Sequence, residues 1–302
     1  MLATRPLHER SLPLSRRETL KNSVLRALLY FDLFDFSPTI EEIHRYLEEP
    51  ATRQDILESL MAHPRIIVQG SYFALEGREG LFPIRRSRLS QSSNLWQKSL
   101  PWLRLTQAIP FLRFVGVSGS LAVNNAYSKA DVDIVFIAEP KFLRISFLFF
   151  SLLKKICRRH VALCPNLGLE RHHLTISNRS LYAAHEIFQV TPIWGEGAFE
   201  NFLQANEWAS SCLPNAPLSK RPMLMSESRA LAMWRVTLES LLIAFKTFSQ
   251  MIARAHQWHL GQQPLGCPRI NCYQQRNRPA CTHGTHEITT DYRYSRHLKK
   301  YF

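Results

Sequence analysis

Two short apolar runs, Phe114-Val-Gly-Val117 and Val132-Asp-Ile-Val-Phe-Ile137, constrain this chain most, because each suits a strand and neither is long enough for a buried helix. Between them stand Gly119-Ser120, ten further residues and Asp131-Val132-Asp133. Short apolar runs that alternate with helix-patterned stretches predict an α/β domain. Side chains two apart on a strand share a face, so Asp131 and Asp133 project together toward whatever the Gly119-Ser120 turn presents.

Two adjacent carboxylates repel one another unless a cation joins them. A divalent metal, Mg²⁺ or Mn²⁺, is the expected bridge, with phosphate oxygens on its open positions. Gly119 allows close approach of the backbone to a ligand, and the turn N–H groups can hold phosphate alongside the Ser120 hydroxyl. An anion cradle beside paired carboxylates is what nucleotidyl transfer from a nucleoside triphosphate needs.

These residues resemble the polymerase-beta-like nucleotidyltransferase superfamily, whose signature is a Gly-Ser pair, a spacer of about this length and Asp-hydrophobic-Asp between apolar strands. Tyr30-Phe-Asp-Leu-Phe-Asp35, Gly119-Ser-Leu-Ala-Val-Asn-Asn-Ala126, Leu181-Tyr-Ala-Ala-His-Glu-Ile187 and Phe202-Leu-Gln-Ala-Asn-Glu-Trp208 look like a family of prokaryotic nucleotidyltransferase-domain proteins, over most of residues 20–215. The resemblance implies an α+β mixed-sheet domain that moves a nucleoside monophosphate to an acceptor hydroxyl (of RNA, a protein or a small molecule) and releases pyrophosphate. It further implies that Gly119 and Ser120 bind the triphosphate, that Asp131 and Asp133 hold the metal, and that a third carboxylate on a neighbouring strand serves as base. Ala130 and Asn124-Asn125 depart from the common pattern of the superfamily. No Asp lies between Asp133 and Asp291, so Glu170 is the expected third acid by position. Glu139 stands too near the strand exit, Glu186 falls on a helix-patterned stretch, and Glu170 itself has a bland alternative in pairing with Arg171 or His172. The competing reading is a regulatory protein that binds nucleotide or nucleic acid without turnover.

Upstream, residues 18–33 have helical spacing, and Thr39 with Glu42 and Thr52 with Asp55 form two capping boxes that open further helices. Residues 65–69 and 72–75 flank a Gly70-Ser71 turn and predict a hairpin. Three helices and a hairpin are the order of a winged helix. Arg53 beside Asp55 and Glu58 gives the third helix little to offer DNA phosphates, so packing or protein contact is preferred over DNA binding. The expected organisation is a flexible tail over 1–17, this module over 18–84, the nucleotidyltransferase domain with a helical lead-in over 85–215, and a long helix with a basic tail over 216–302.

The formal charge of +14 is concentrated: residues 141–180 carry eight basic groups against one acidic, and residues 261–302 carry seven against two. Such clusters attract polyphosphate or nucleic acid, or else form a solvated face. One of them ends an amphipathic helix expected over Lys141–Arg159, with Ile145, Phe149, Leu152, Leu153 and Ile156 as its apolar face. Ser226 can cap a long helix through Leu231, Trp234, Leu238, Leu241, Phe245, Phe248, Ile252 and Ala255, expected to pack on the chain's own core, with a homodimer through residues 227–260 as the alternative. Cys267, Cys272, Cys281, His283 and His286 contain enough ligands for zinc, but their spacing matches no common finger and a polar tail is preferred.

The most apolar run, Ile145–Leu153, has nine residues, against the roughly 20 needed to span a bilayer, so no membrane segment is expected. The N-terminus lacks the apolar stretch of a secretory signal, and six cysteines then read as reduced thiols in a cytoplasmic protein. A hydrolase nucleophile elbow at Gly116–Ser120 lacks its final Gly, and Walker and dinucleotide motifs are absent from the sequence.

Overall fold

A computed structural model of the chain describes residues 14–217, 222–244 and 281–301. It opens with α1 (Leu14–Asp32), α2 (Ile40–Arg45) and α3 (Arg53–Met61), followed by a hairpin of β1 (Ile66–Gln69) and β2 (Tyr72–Leu75). The two short helices start where their capping boxes place them: Thr39 and Thr52 accept from the backbone N–H groups of Glu42 and Asp55, whose carboxylates accept from the cap N–H groups in return.

Helix α4 (Leu81–Leu105) and a short 3-10 turn lead into β3 (Leu112–Ser118), α5 (Gly119–Ala122) and β4 (Val132–Ala138). Helix α6 (Leu143–Cys157) then crosses to β5 (Leu163–Glu170), and α7 (Leu181–Gln189) precedes β6 (Thr191–Trp194). Strand order is β5-β4-β3-β6. β3 is antiparallel to β4 and β6, whereas β4 and β5 are parallel, so the sheet is mixed and the fold combines α and β elements as expected. Helices α8 (Glu196–Ala205), α9 (Ala209–Cys212) and α10 (Arg229–Ala244) follow, and a C-terminal helix covers Cys281–Tyr301.

Alternate strand residues face opposite ways, and the sheet therefore carries a core on each side. Phe114, Val135, Ile137 and Leu167 share one cluster with Val24 and Leu28 of α1, Ile43 of α2, Ile56 of α3, Phe188 of α7 and Phe199 of α8. Val115, Val117, Ile134 and Phe136 share the other with Leu103 of α4 and with Phe150, Leu153 and Cys157 of α6. The N-terminal helices thus complete the core on the first face of the sheet.

Three sequence expectations are corrected. The buried stripe of α6 is Leu143, Ile145, Ser146, Phe150, Leu153 and Cys157, leaving Leu152 and Ile156 exposed. Phe150 stacks on Phe136 at 5.6 Å and Ser146 donates to the Pro110 carbonyl at 2.8 Å, which together fix the helix rotation. In α10 the expected apolar seam is only partly covered: Leu231 and Leu238 are half-buried, Trp234 is 61% and Leu241 54% exposed, and Arg235 is the buried residue. Charge holds this helix instead, since Glu239 accepts from Arg113 at 2.8 and 3.0 Å and from the Phe111 N–H at 2.6 Å. Phe245, Phe248, Ile252 and Ala255 lie outside the described residues. The basic tail contains a helix whose Tyr294 meets Tyr30 edge-on at 5.5 Å and donates to the Arg26 carbonyl at 3.3 Å. Cys267 and Cys272 fall outside the described residues, as do the side chains of Cys281, His283 and His286. Among the described residues no helix is long and apolar enough to cross a membrane.

One buried cation ties the N-terminal helices to the loop after β3. Arg85 of α4, 3% exposed, donates to Glu42 Oε1 at 2.6 Å, to the Asn124 carbonyl at 2.9 Å and to the Val123 carbonyl at 3.3 Å. Its guanidinium also lies 4.1 Å from the Phe36 ring centroid. Burial pushes the Glu42 carboxyl up and the Arg85 guanidinium down, against their mutual attraction. Removing one partner strands the other charge, so Arg85→Ala is expected to cost about 3 kcal/mol in urea unfolding. A loss under about 1 kcal/mol would show that the pair is dispensable.

Candidate functional site

The register of the sheet assembles the site. Ser118, the last residue of β3, pairs with Asp133 of β4. Gly119 follows with φ of +65°, and a Cβ there would overlap the Asp133 carboxylate, so the position requires glycine for both conformation and space. The Asn125 N–H donates to the Ser120 carbonyl at 2.7 Å and closes the turn. Asn125 also donates through Nδ2 to the Phe34 carbonyl and accepts from Arg88, both at 3.1 Å. Asn124, at φ +54°, offers its carbonyl to Arg85. Asn125 thus joins this turn to the segment after α1, and Asn124 joins it to α4.

A cavity of about 810 Å³ opens along this end of the sheet. Its sheet side is formed by Gly119 and Ser120, by Asp131 and Asp133, by Cys164 and Asn166 of β5, and by Thr191 and Pro192 of β6. Phe34, Arg45 and Tyr46 from the N-terminal helical region and Tyr182 and Glu186 from α7 also line it. Gly119, Ser120, Asp131 and Asp133 are thus brought together in one cavity. The carboxylates of Asp131 and Asp133 and the Cys164 sulfur lie within 4.8 Å of one another. This donor set fits a divalent cation in charge and spacing.

Glu170 is not part of it. In the parallel register Asp133 pairs with Cys164, but Glu170 pairs with Ala138 at the opposite end of the strands. Six residues of strand separate Cys164 from Glu170, a distance of about 20 Å. There Glu170 accepts the Lys141 N–H at 2.9 Å and lies 3.6 Å from His172 Nε2, the bland pairing that its sequence context allowed. Arg171 turns to Glu139 instead, at 3.3 Å. Glu139 is likewise remote from the cavity, held by Arg113 at 2.8 Å.

Glu186, and not Glu170 of β5, brings a third carboxyl to the cavity. It projects from α7 into the cavity, where burial pushes its pKa from the ordinary 4.5 up to about 7. Its helix is seated by the preceding residue: His185 is buried, stacks on Tyr30 at 4.0 Å and Tyr46 at 4.8 Å, and is kept neutral by a pKa pushed down to about 3 through burial. Arg45 adds a cation to the cavity lining and is a second residue that sequence reasoning missed. Its only sequence signal was position, in the last turn of a capped helix.

The chain was compared with known proteins, and no family model, curated protein or solved structure matches it.

The raised pKa of Glu186 has a thermodynamic consequence. Below pH about 4.5 the carboxyl is protonated whether the chain is folded or not, and as pH rises toward 7 the unfolded chain ionises first. Stability is therefore expected to fall over that window, by about 1–2 kcal/mol once the partial solvent contact of this half-buried group is discounted. Urea titrations across the window should show this component in the native chain and not in Glu186→Gln. An equal pH slope in both would place the carboxyl in ordinary solvent.

Proposed function

We propose that this chain is a metal-dependent nucleotidyltransferase that moves a nucleoside monophosphate from a triphosphate to an acceptor hydroxyl. The observation that carries the reading is the convergence of Asp131, Asp133 and the Gly119-Ser120 turn in one cavity large enough for a nucleotide. Asp131 and Asp133 would hold a divalent cation, which when bound neutralises triphosphate charge and orients the α-phosphate. The Ser120 hydroxyl and the backbone amides beside Gly119 bind phosphate oxygens, and Arg45, in the same cavity lining, is a further phosphate partner.

Glu186 is the general base, since a carboxyl with a pKa near 7 is half-ionised at neutral pH and accepts a proton effectively. It takes the proton from the acceptor hydroxyl as that oxygen forms its bond to the α-phosphorus. The bond from α-phosphorus to the bridging oxygen breaks, and pyrophosphate leaves with the electron pair. Exposed Lys155, Arg158 and Arg159 stand at the C-terminal end of α6, which is the sheet end bearing Asp131, because β5 begins with Leu163 opposite Val132. They favour an anionic substrate or acceptor.

The helices and hairpin upstream, ordered as in a winged helix, are assigned to packing and to building the cavity. Phe34, Arg45 and Tyr46 in the cavity wall support this over DNA contact. A second reading, nucleotide binding without turnover, draws support from β5, which presents Cys164 and Asn166 beside Asp133 and no carboxylate.

Incubation with each labelled triphosphate, Mg²⁺ or Mn²⁺ and a cell lysate separates the two readings. Transfer of label by the native chain, lost in Asp133→Asn and slowed about 100-fold in Glu186→Gln, is expected. Retention of triphosphate with no transferred label would favour the regulatory reading, and label transferred equally by Asp133→Asn would overturn the site.

A further inference from the structure

We propose that Cys164 is the third metal ligand of this site, and that its thiolate biases the site toward borderline-soft cations of the Zn²⁺ class over Mg²⁺. The inference rests on the metal role of Asp131 and Asp133 argued above and replaces the Mg²⁺ expectation.

Placement of the thiol comes from register. Cys164 is the direct parallel partner of Asp133, and adjacent strands lie about 4.8 Å apart. Paired positions share a face: Val132 and Leu163, one residue earlier on each strand, both enter the core on the second side of the sheet. Asp133 and Cys164 accordingly face the cavity on the first side, and both line it. Cys164 is 3% exposed, so the surface it retains belongs to that cavity.

The donors also fit an ion in distance. Zinc binds thiolate at about 2.3 Å and carboxylate oxygen at about 2.1 Å, so tetrahedral ligands around it lie about 3.5 Å apart. Donor atoms already within 4.8 Å need approach one another by only about 1 Å, within reach of side-chain rotation. The backbone at Gly119 leaves room for the Asp133 carboxylate, in a place where a Cβ would overlap it.

Chemistry then decides which ion is preferred. Mg²⁺ is a hard cation that favours oxygen ligands, whereas thiolate selects softer metals. Two carboxylates and a sulfur therefore discriminate against Mg²⁺ where three carboxylates would not. The carbonyl oxygen of Asn166, in the same wall, is a neutral donor that adds no charge to offset this.

The test uses the full chain, with Zn²⁺, Cd²⁺ and Mg²⁺ as probes in calorimetry, and Cd²⁺ again in ultraviolet absorption for its thiolate charge-transfer band. Other cysteines contribute a background, so the native chain is compared with Cys164→Ser, Cys164→Ala and Cys164→Asp. Native protein is expected to bind Zn²⁺ and Cd²⁺ at least about 100-fold more tightly than Mg²⁺ at this site. Cys164→Ser and Cys164→Ala should each lose about 10-fold or more in Cd²⁺ affinity together with one thiolate's share of the band. Cys164→Asp should gain Mg²⁺ affinity. An unchanged Cd²⁺ affinity and band in Cys164→Ser and Cys164→Ala would overturn the inference. If Asp133→Asn still abolished Mg²⁺ binding in that case, the carboxylate site would stand without its sulfur. If Asp131→Asn and Asp133→Asn changed no metal's binding, both the inference and the proposed function would fall together.

Discussion

A buried guanidinium organises this molecule. Arg85 reaches from α4 to Glu42 at the start of α2 and to the carbonyls of Val123 and Asn124 in the loop after β3. A charge so deeply placed is tolerable only with partners on several sides, and those partners come from two separate stretches of chain. The same Glu42 closes the α2 capping box by accepting the Thr39 N–H at 2.8 Å, so helix start, buried ion pair and site loop share one carboxylate. Arg88, one turn further along α4, repeats the device on Phe34, Asp35 and Asn125. The wall bearing Phe34 and Arg45 is thereby fixed relative to the turn bearing Gly119 and Ser120. Precise placement of this kind is what separates a catalytic cavity from a cleft that only binds.

Local signals made much of this legible in the sequence. The capping boxes at Thr39 and Thr52 required only residues three apart, and the structure starts helices at both. Asp131 and Asp133 shared a face by the period of a strand, and Gly119 marked the turn opposite them; all three line the cavity. What could not be read was register and rotation. Nothing in Leu163-Cys-Pro-Asn-Leu-Gly-Leu-Glu170 reveals which residue lies beside Asp133, and a parallel pairing set Cys164 there and sent Glu170 to the far end. A helix-patterned stretch around Glu186 gives no sign in the sequence that α7 lines the cavity. Similarly, the seam of α10 followed an apolar repeat, whereas Arg113, Arg235 and their carboxylate partners fix the orientation of the helix.

The chemistry of the cavity follows from how its groups are divided among elements. Two carboxylates and a thiol sit on β4, its lead-in and β5; the Gly119-Ser120 turn follows β3; the Glu186 carboxyl comes from α7; and the Arg45 cation comes from α2. Substrate entering the cavity would therefore touch both the sheet and the N-terminal helices, which explains in physical terms why these share a continuous core. His185 contributes from beneath: as a neutral ring stacked on Tyr30 and Tyr46 it ties α7 to α1 and so seats Glu186 by packing.

Crystals grown with Mn²⁺ and a non-hydrolysable nucleoside triphosphate give the most direct measurement, because the anomalous signal locates the cation independently of any activity. A peak bounded by the Asp131 and Asp133 carboxylates and beside the Cys164 sulfur, with triphosphate oxygens on its remaining positions and the Ser120 hydroxyl on phosphate, is the expected result. A cation held at the remote cluster of Glu170, His172 and His173, with no triphosphate in the cavity, would contradict a nucleotidyltransferase site at Asp131 and Asp133.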